Sequence, residues 1–112
     1  MRLRERLTPF HVITAHPDEV EAYVADHPEL VTLLEGISAE LRVAFGPEAE
    51  LALELYKDLE VQDQYLTLYV RQTKYAADLM DRIEAAVRPF MAQLESSTGH
   101  LLITTDFRRP RG

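Results

Sequence analysis

Three groups of residues in this chain have types and spacings that can do chemistry, and a fourth can bind without reacting. The first is Ala15-His16-Pro17-Asp18-Glu19, where an imidazole stands two residues before a carboxylate. Such a pair can begin a hydrolytic metal site, which ordinarily takes three protein ligands and leaves a position open for water. The third ligand is unassigned; His100 is the only distant histidine outside a helix-start signal. The second group is Asp58, Glu60 and Asp63, carboxylates of the kind that hold Mg²⁺, with Lys57 beside them. In strand geometry Lys57 and Asp58 point to opposite faces, so the lysine does not join the acids. The third is a nucleophile with its base. Ser38, Ser96 and Ser97 are available, but none lies in a Gly-x-Ser-x-Gly elbow. The histidines His11, His16, His27 and His100 contain no i, i+4 pair, and the glycines at 36, 46, 99 and 112 form no phosphate loop. The fourth is Tyr56, Tyr65 and Tyr69, large apolar rings with polar tips, suited to a binding surface.

The segment Ala15–Glu19, following the apolar stretch Phe10–Ile13, resembles the metal-binding signature of the zinc-dependent sugar de-N-acetylases. In that family a strand ends in Ala-His-Pro-Asp-Asp-Glu. The resemblance implies that His16 ligates zinc and that Asp18 is the general base, with Glu19 in place of the second aspartate. It ends there: the family's glycine-rich continuation is replaced by Val20-Glu21-Ala22-Tyr23, and the chain is far shorter than that fold. The same residues also read as a helix N-terminus, with proline at the first helical position and acids in the first turn. His27-Pro28-Glu29 repeats that signal.

The elements that must position these groups follow from periodicity. Pro17 to about Asp26 reads as a first helix. A second carries Leu30, Leu33, Leu34, Ile37, Leu41 and Phe45 on one stripe and stops at Gly46-Pro47. Residues 49–58 and 64–71 alternate. Leu51, Leu53, Leu55, Leu66, Leu68 and Val70 lie on one face; Ala52, Glu54, Tyr56, Tyr65, Thr67 and Tyr69 lie on the other. The short acidic link between them predicts an antiparallel hairpin. A third helix spans about Tyr75 to Leu94, with a kink or break expected near Val87–Pro89. His100–Thr105 reads as the last strand, joined by a crossover that should be right-handed if it lies parallel to the second strand. Phe10–Ile13 is either an extended arm or a brief strand. The expected architecture is one α+β domain over residues 1–112: a two-layer sandwich in the order α-α-β-β-α-β. Its three-stranded, mainly antiparallel sheet, a β-hairpin plus a crossover strand, is covered on one face by helices. The basic ends, about 1–7 and 107–112, are expected to be flexible.

Composition narrows the function classes. The chain has 112 residues, 46% hydrophobic and 28% charged, which suits a packed domain rather than a disordered one. No cysteine is present, so disulfides and thiolate metal sites are excluded, and a reducing cytoplasm is the expected compartment. No apolar run is long enough to cross a bilayer, and Met1–Leu7 lacks the apolar core of a secretory signal. Net charge is −7; the first seven residues carry +2 and residues 108–112 carry +3, which leaves −12 on residues 8–107. A body of that sign repels phosphate backbones, so direct nucleic-acid binding is disfavoured.

These observations predict a small protein-interaction module without cofactor, metal or catalytic residue. It would be a regulatory or accessory partner, antitoxins being one such kind, and would bind a basic protein partner and form a homodimer. Its surface is the sheet face bearing Glu54, Tyr56, Tyr65, Thr67, Tyr69 and His100. The alternative is a metal-dependent hydrolase using His16 and Asp18, or the Asp58, Glu60 and Asp63 cluster. A third reading places a small ligand between sheet and helices, lined by tyrosines.

Overall fold

The computed structural model describes residues 3–58, 60, 63–75 and 77–105. The order is α1 (Leu3–Leu7), a 3-10 turn (Thr8–Phe10), β1 (Val12–Thr14), α2 (Pro17–Asp26), α3 (Glu29–Phe45), β2 (Glu50–Asp58) and β3 (Asp63–Arg71). After these come α4 (Leu79–Val87), a 3-10 turn (Arg88–Phe90), α5 (Met91–Ser96) and β4 (Leu101–Thr104). The α+β class and the helical cover on one face are as expected.

The sheet is larger than the sequence pattern indicates. It has four strands in the order β1-β2-β3-β4, mixed rather than mainly antiparallel. β1 is parallel to β2, β2 antiparallel to β3, and β3 parallel to β4. The added strand is β1, which overlaps the Phe10–Ile13 stretch read as an extended arm or a brief strand; its three residues give too little alternation to place it in the sheet, and its partners, Leu51 to Leu53, are far along the chain. The parallel connections β1-α2-α3-β2 and β3-α4-α5-β4 both lie over the same face while strand direction reverses between them. They therefore have opposite hands, and one departs from the right-handed preference.

Residues 3–7 also depart from expectation. They form a helical turn rather than a flexible end, because Leu3 and Leu7 share one helical face and both are buried in the core. The arginines interleaved with them conceal that spacing. The tail 107–112 lies outside the described residues. The third helix begins at Leu79, later than Tyr75, and breaks at Arg88–Phe90 around Pro89 as its missing N–H requires.

The core forms where the leucine face of the hairpin meets the helices. Leu51, Leu53, Leu66, Leu68 and Val70 are fully buried beneath Leu30, Leu34, Ile37 and Leu41 of α3, Val20 of α2, and Ile83 and Val87 of α4. Each fully buried leucine contributes about 1.5–3 kcal/mol of transfer free energy. Gly36 permits the close approach of the 3-10 turn to α3, since a Cβ there would stand 2.7 Å from the Phe90 ring.

Candidate functional site

With the leucines turned inward, no helix of the described residues covers the other side of the sheet. Cross-strand register sets the order of its side chains. Ile13, Ala52, Tyr69 and Thr104 make one row; Glu54, Thr67 and Leu102 a second; Tyr56 and Tyr65 a third. His100 precedes Leu101, the partner of Leu66, and so extends the tyrosine row. The structure thus gathers all six expected surface residues on one face, although not equally. Tyr56 is 43% exposed, Ile13 47% and Leu102 48%. His100 is exposed, Tyr65, Tyr69 and Glu54 are half-buried, and Thr67 is buried between its neighbours.

Two features stiffen this face. The rings of Tyr56 and Tyr65, opposite each other across the hairpin, stack with centroids 4.8 Å apart. At the far end Arg71 donates from Nη1 to Glu50 Oε2 at 2.8 Å, with both side chains almost wholly buried, and its guanidinium stands 5.2 Å from the Tyr69 ring centroid. Glu54 is different. It occupies the middle of β2, an inner strand, and has no hydrogen-bond or ion-pair partner among the described residues. Among the described residues the face is therefore largely apolar and aromatic, with the carboxylate of Glu54 uncompensated near its centre.

The candidate metal residues stand apart from this. His16 is the N-cap of α2, in the left-handed region at φ 48°, and its carbonyl accepts from the Glu19 N–H at 3.0 Å and the Val20 N–H at 3.3 Å. Asp18 is exposed in the first turn. Glu19 accepts from Lys57 Nζ at 2.8 Å, and that bond holds its carboxyl below the usual range. Among the described residues no three histidines or acids converge as metal ligands. Asp58 and Asp63 pair in register at the end of the hairpin, but their side chains lie outside the described part, as do residues 59, 61 and 62.

The second His-Pro-acid segment has a role its sequence does not announce. Glu29 Oε1 accepts from the Thr98 N–H at 2.8 Å, the Thr98 hydroxyl at 2.5 Å and the Ser97 hydroxyl at 2.9 Å, while His27 Nδ1 lies 2.9 Å from Thr98 Oγ1. The Thr98 hydroxyl first, then the backbone and Ser97 donors, holds the Glu29 carboxyl down at about 2. This clamp fixes the loop before β4. Gly99 is required there, because a Cβ would fall 2.7 Å from Leu30 Cδ1 and 2.8 Å from His27 Cγ. The Tyr23 hydroxyl completes the anchoring: it accepts from the His100 N–H at 3.0 Å and donates to the Gln64 carbonyl at 3.4 Å. Tyr23 is thus an interior tyrosine under α2, not part of the outer row.

Two features of this face were not expected: Ile13, because the brief strand offered for Phe10–Ile13 was not placed in the sheet, and the Glu50–Arg71 pair, which mirror symmetry about the hairpin turn would have located. Arg42 was not expected either: it donates to the carbonyls of Phe10, Gly46 and Ala49 and ties the end of α3 to the chain on either side. Burial lowers the Arg42 guanidinium from its ordinary value. No helix among the described residues is long and apolar enough to cross a membrane. Comparison with protein-family models, curated proteins and solved structures gives no match.

Proposed function

We propose that the chain is a non-catalytic protein-interaction module that binds a basic protein partner through the outer sheet face. The observation that carries this reading is Glu54. A partner that covered the exposed Ile13, Tyr56 and Leu102 would strip water from a carboxylate that has no compensating group among the described residues. Burying that charge unpaired costs several kcal/mol, so a fitting partner presents a lysine or arginine opposite it. Stacked and half-buried tyrosines around a central charge are the kind of anchors that dominate interface energetics. The excess negative charge of the body speeds encounter with a cationic surface.

A second copy of this chain fits the face less well. Two-fold pairing about the sheet centre sets Glu54 against its own counterpart, and like charges across a dry interface are repelled. Site-specific photocrosslinking in the native host tests the proposal. A crosslinker at Tyr56 or Leu102 should give a discrete adduct with a basic protein, lost on Glu54→Lys, while one at exposed Glu40 on α3 should not. Adducts only between copies of the chain, or equal labelling from all three positions, would sink the reading.

A further inference from the structure

The fourth strand leaves the sheet unfinished on its outer side. β4 pairs with β3 alone, and no other described strand lies beyond it. The Leu66 N–H donates to the His100 carbonyl at 2.9 Å, so His100, Leu102 and Thr104 direct their backbone groups at β3. Leu101 and Ile103 therefore direct their N–H and C=O groups away from the sheet, where no described residue hydrogen-bonds them. Their side chains lie on the core face, yet both stay half-buried, whereas their register partners Leu66 and Leu68 are fully buried.

The reason is a groove. Beside β4, the side chains of Met80, Ile83 and Val87 from α4 and Met91 and Leu94 from α5 stand off from Leu101 and Ile103 and leave an apolar trough of about 420 Å³. Met80 and Met91 are each 45% exposed. Methionines at such a lip adapt to differently shaped occupants. Glu84 and Glu95 also line the trough, and neither makes an ion pair among the described residues. An open strand edge, an apolar trough beside it and acids on the trough wall are three separate properties, and they specify one occupant.

We infer that the β4 edge and its groove bind an extended polypeptide segment as a fifth strand, with apolar side chains at alternate positions and lysine or arginine beside them. The backbone of the segment pairs with Leu101 and Ile103. Because side chains alternate along a strand, every second residue enters the trough between α4, α5 and β4. The basic residues meet Glu84 and Glu95. This inference does not rest on the outer-face proposal; the two surfaces meet at Leu102, which borders both.

A phage-displayed random peptide library, panned on the full chain, tests it. The expected selection is of segments with alternating apolar residues and added lysine or arginine. Ile103→Pro deletes one outward N–H, a change that an edge strand tolerates because the lost donor faces no sheet partner. It should abolish binding. The double variant Glu84→Lys, Glu95→Lys leaves the backbone edge intact and should weaken the selected peptides at least about tenfold. Tyr56→Lys on the outer face should leave them unaffected. A library that yields no binder, binders indifferent to both variants, or binders without basic residues would overturn the inference. So would a concentration-dependent dimer in the absence of peptide that Ile103→Pro dissolves, since a second copy would then own the edge.

Discussion

Replacing Arg71 by alanine should be among the most destabilising single changes at a charged position in this protein. Arg71 and Glu50 sit opposite each other at the end of the β2–β3 ladder, with Nη1 2.8 Å from Oε2 and side chains only 4% and 6% exposed. Removing the cation takes the 2.8 Å partner from a buried carboxylate, and breaking such a buried pair costs about 3–5 kcal/mol. At about 2.1 cal/mol/K per residue, a chain of 112 residues unfolds with an entropy near 0.24 kcal/mol/K, so the loss corresponds to about 12–20 °C in Tm. Lys57–Glu19 is the internal control: its N–O distance is also 2.8 Å, but its side chains are 39% and 45% exposed. Water and salt already screen that pair, so Lys57→Ala should move Tm by no more than a few degrees. Replacing both Glu50 and Arg71 by leucine should recover part of the loss, because neither member of this pair is then left facing an apolar side chain. Thermal and urea denaturation followed by circular dichroism measure all four proteins. Equal, small shifts for Arg71→Ala and Lys57→Ala would refute the reasoning, because the burial of the Glu50 end of the outer face would then count for nothing.

Other expectations follow from the same structure. Ser38 is fully buried in α3 and its hydroxyl finds no partner among the described residues, so Ser38→Ala should be neutral or stabilise by about 1 kcal/mol in urea denaturation. Glu29 titrates lower in the folded chain, at about 2, than its ordinary value of 4.5. Its clamp therefore contributes stability in full above about pH 4.5 and loses it as pH falls toward 2, and Glu29→Gln should flatten that part of the stability–pH curve. Gly99→Ala should lower Tm by several degrees, since its Cβ collides with Leu30 and His27; an unchanged Tm would show that the loop before β4 is free to shift. Leu68→Ala, at a fully buried position in the centre of the sheet, should cost about 2–5 kcal/mol in the same denaturation assay.

The parts of the fold legible in the sequence are those whose information is local and repeated. The alternation through 51–56 and 65–70 assigns leucines to one face and tyrosines to the other, and the i, i+3, i+4 stripe from Leu30 to Leu41 defines α3. Pro89 marks its own break. What local pattern leaves open depends on distant partners. β1 is a strand only because Leu51–Leu53 accept it as a parallel neighbour, and Leu3 and Leu7 are core residues only because α3 lies beneath them. Hydrogen bonds from Arg42, Tyr23 and Glu29 reach carbonyls, amides and hydroxyls that no periodicity relates to them. The six expected surface residues do share a face, but sequence alternation gives only side, not depth. Thr67 is on the right side and still buried, because Glu54 and Leu102 flank it in the register.

Glu54 decides the account most directly. Once the crosslinked partner is purified, calorimetric titration should show Glu54→Gln weakening its binding by at least about 30-fold, the minimum expected when one member of a desolvated charge pair is removed. Glu40→Gln, an equal loss of charge on the exposed side of α3, should change affinity little. Unaltered binding by Glu54→Gln, or equal losses for the two variants, would contradict the claim that this carboxylate is the centre of the interface.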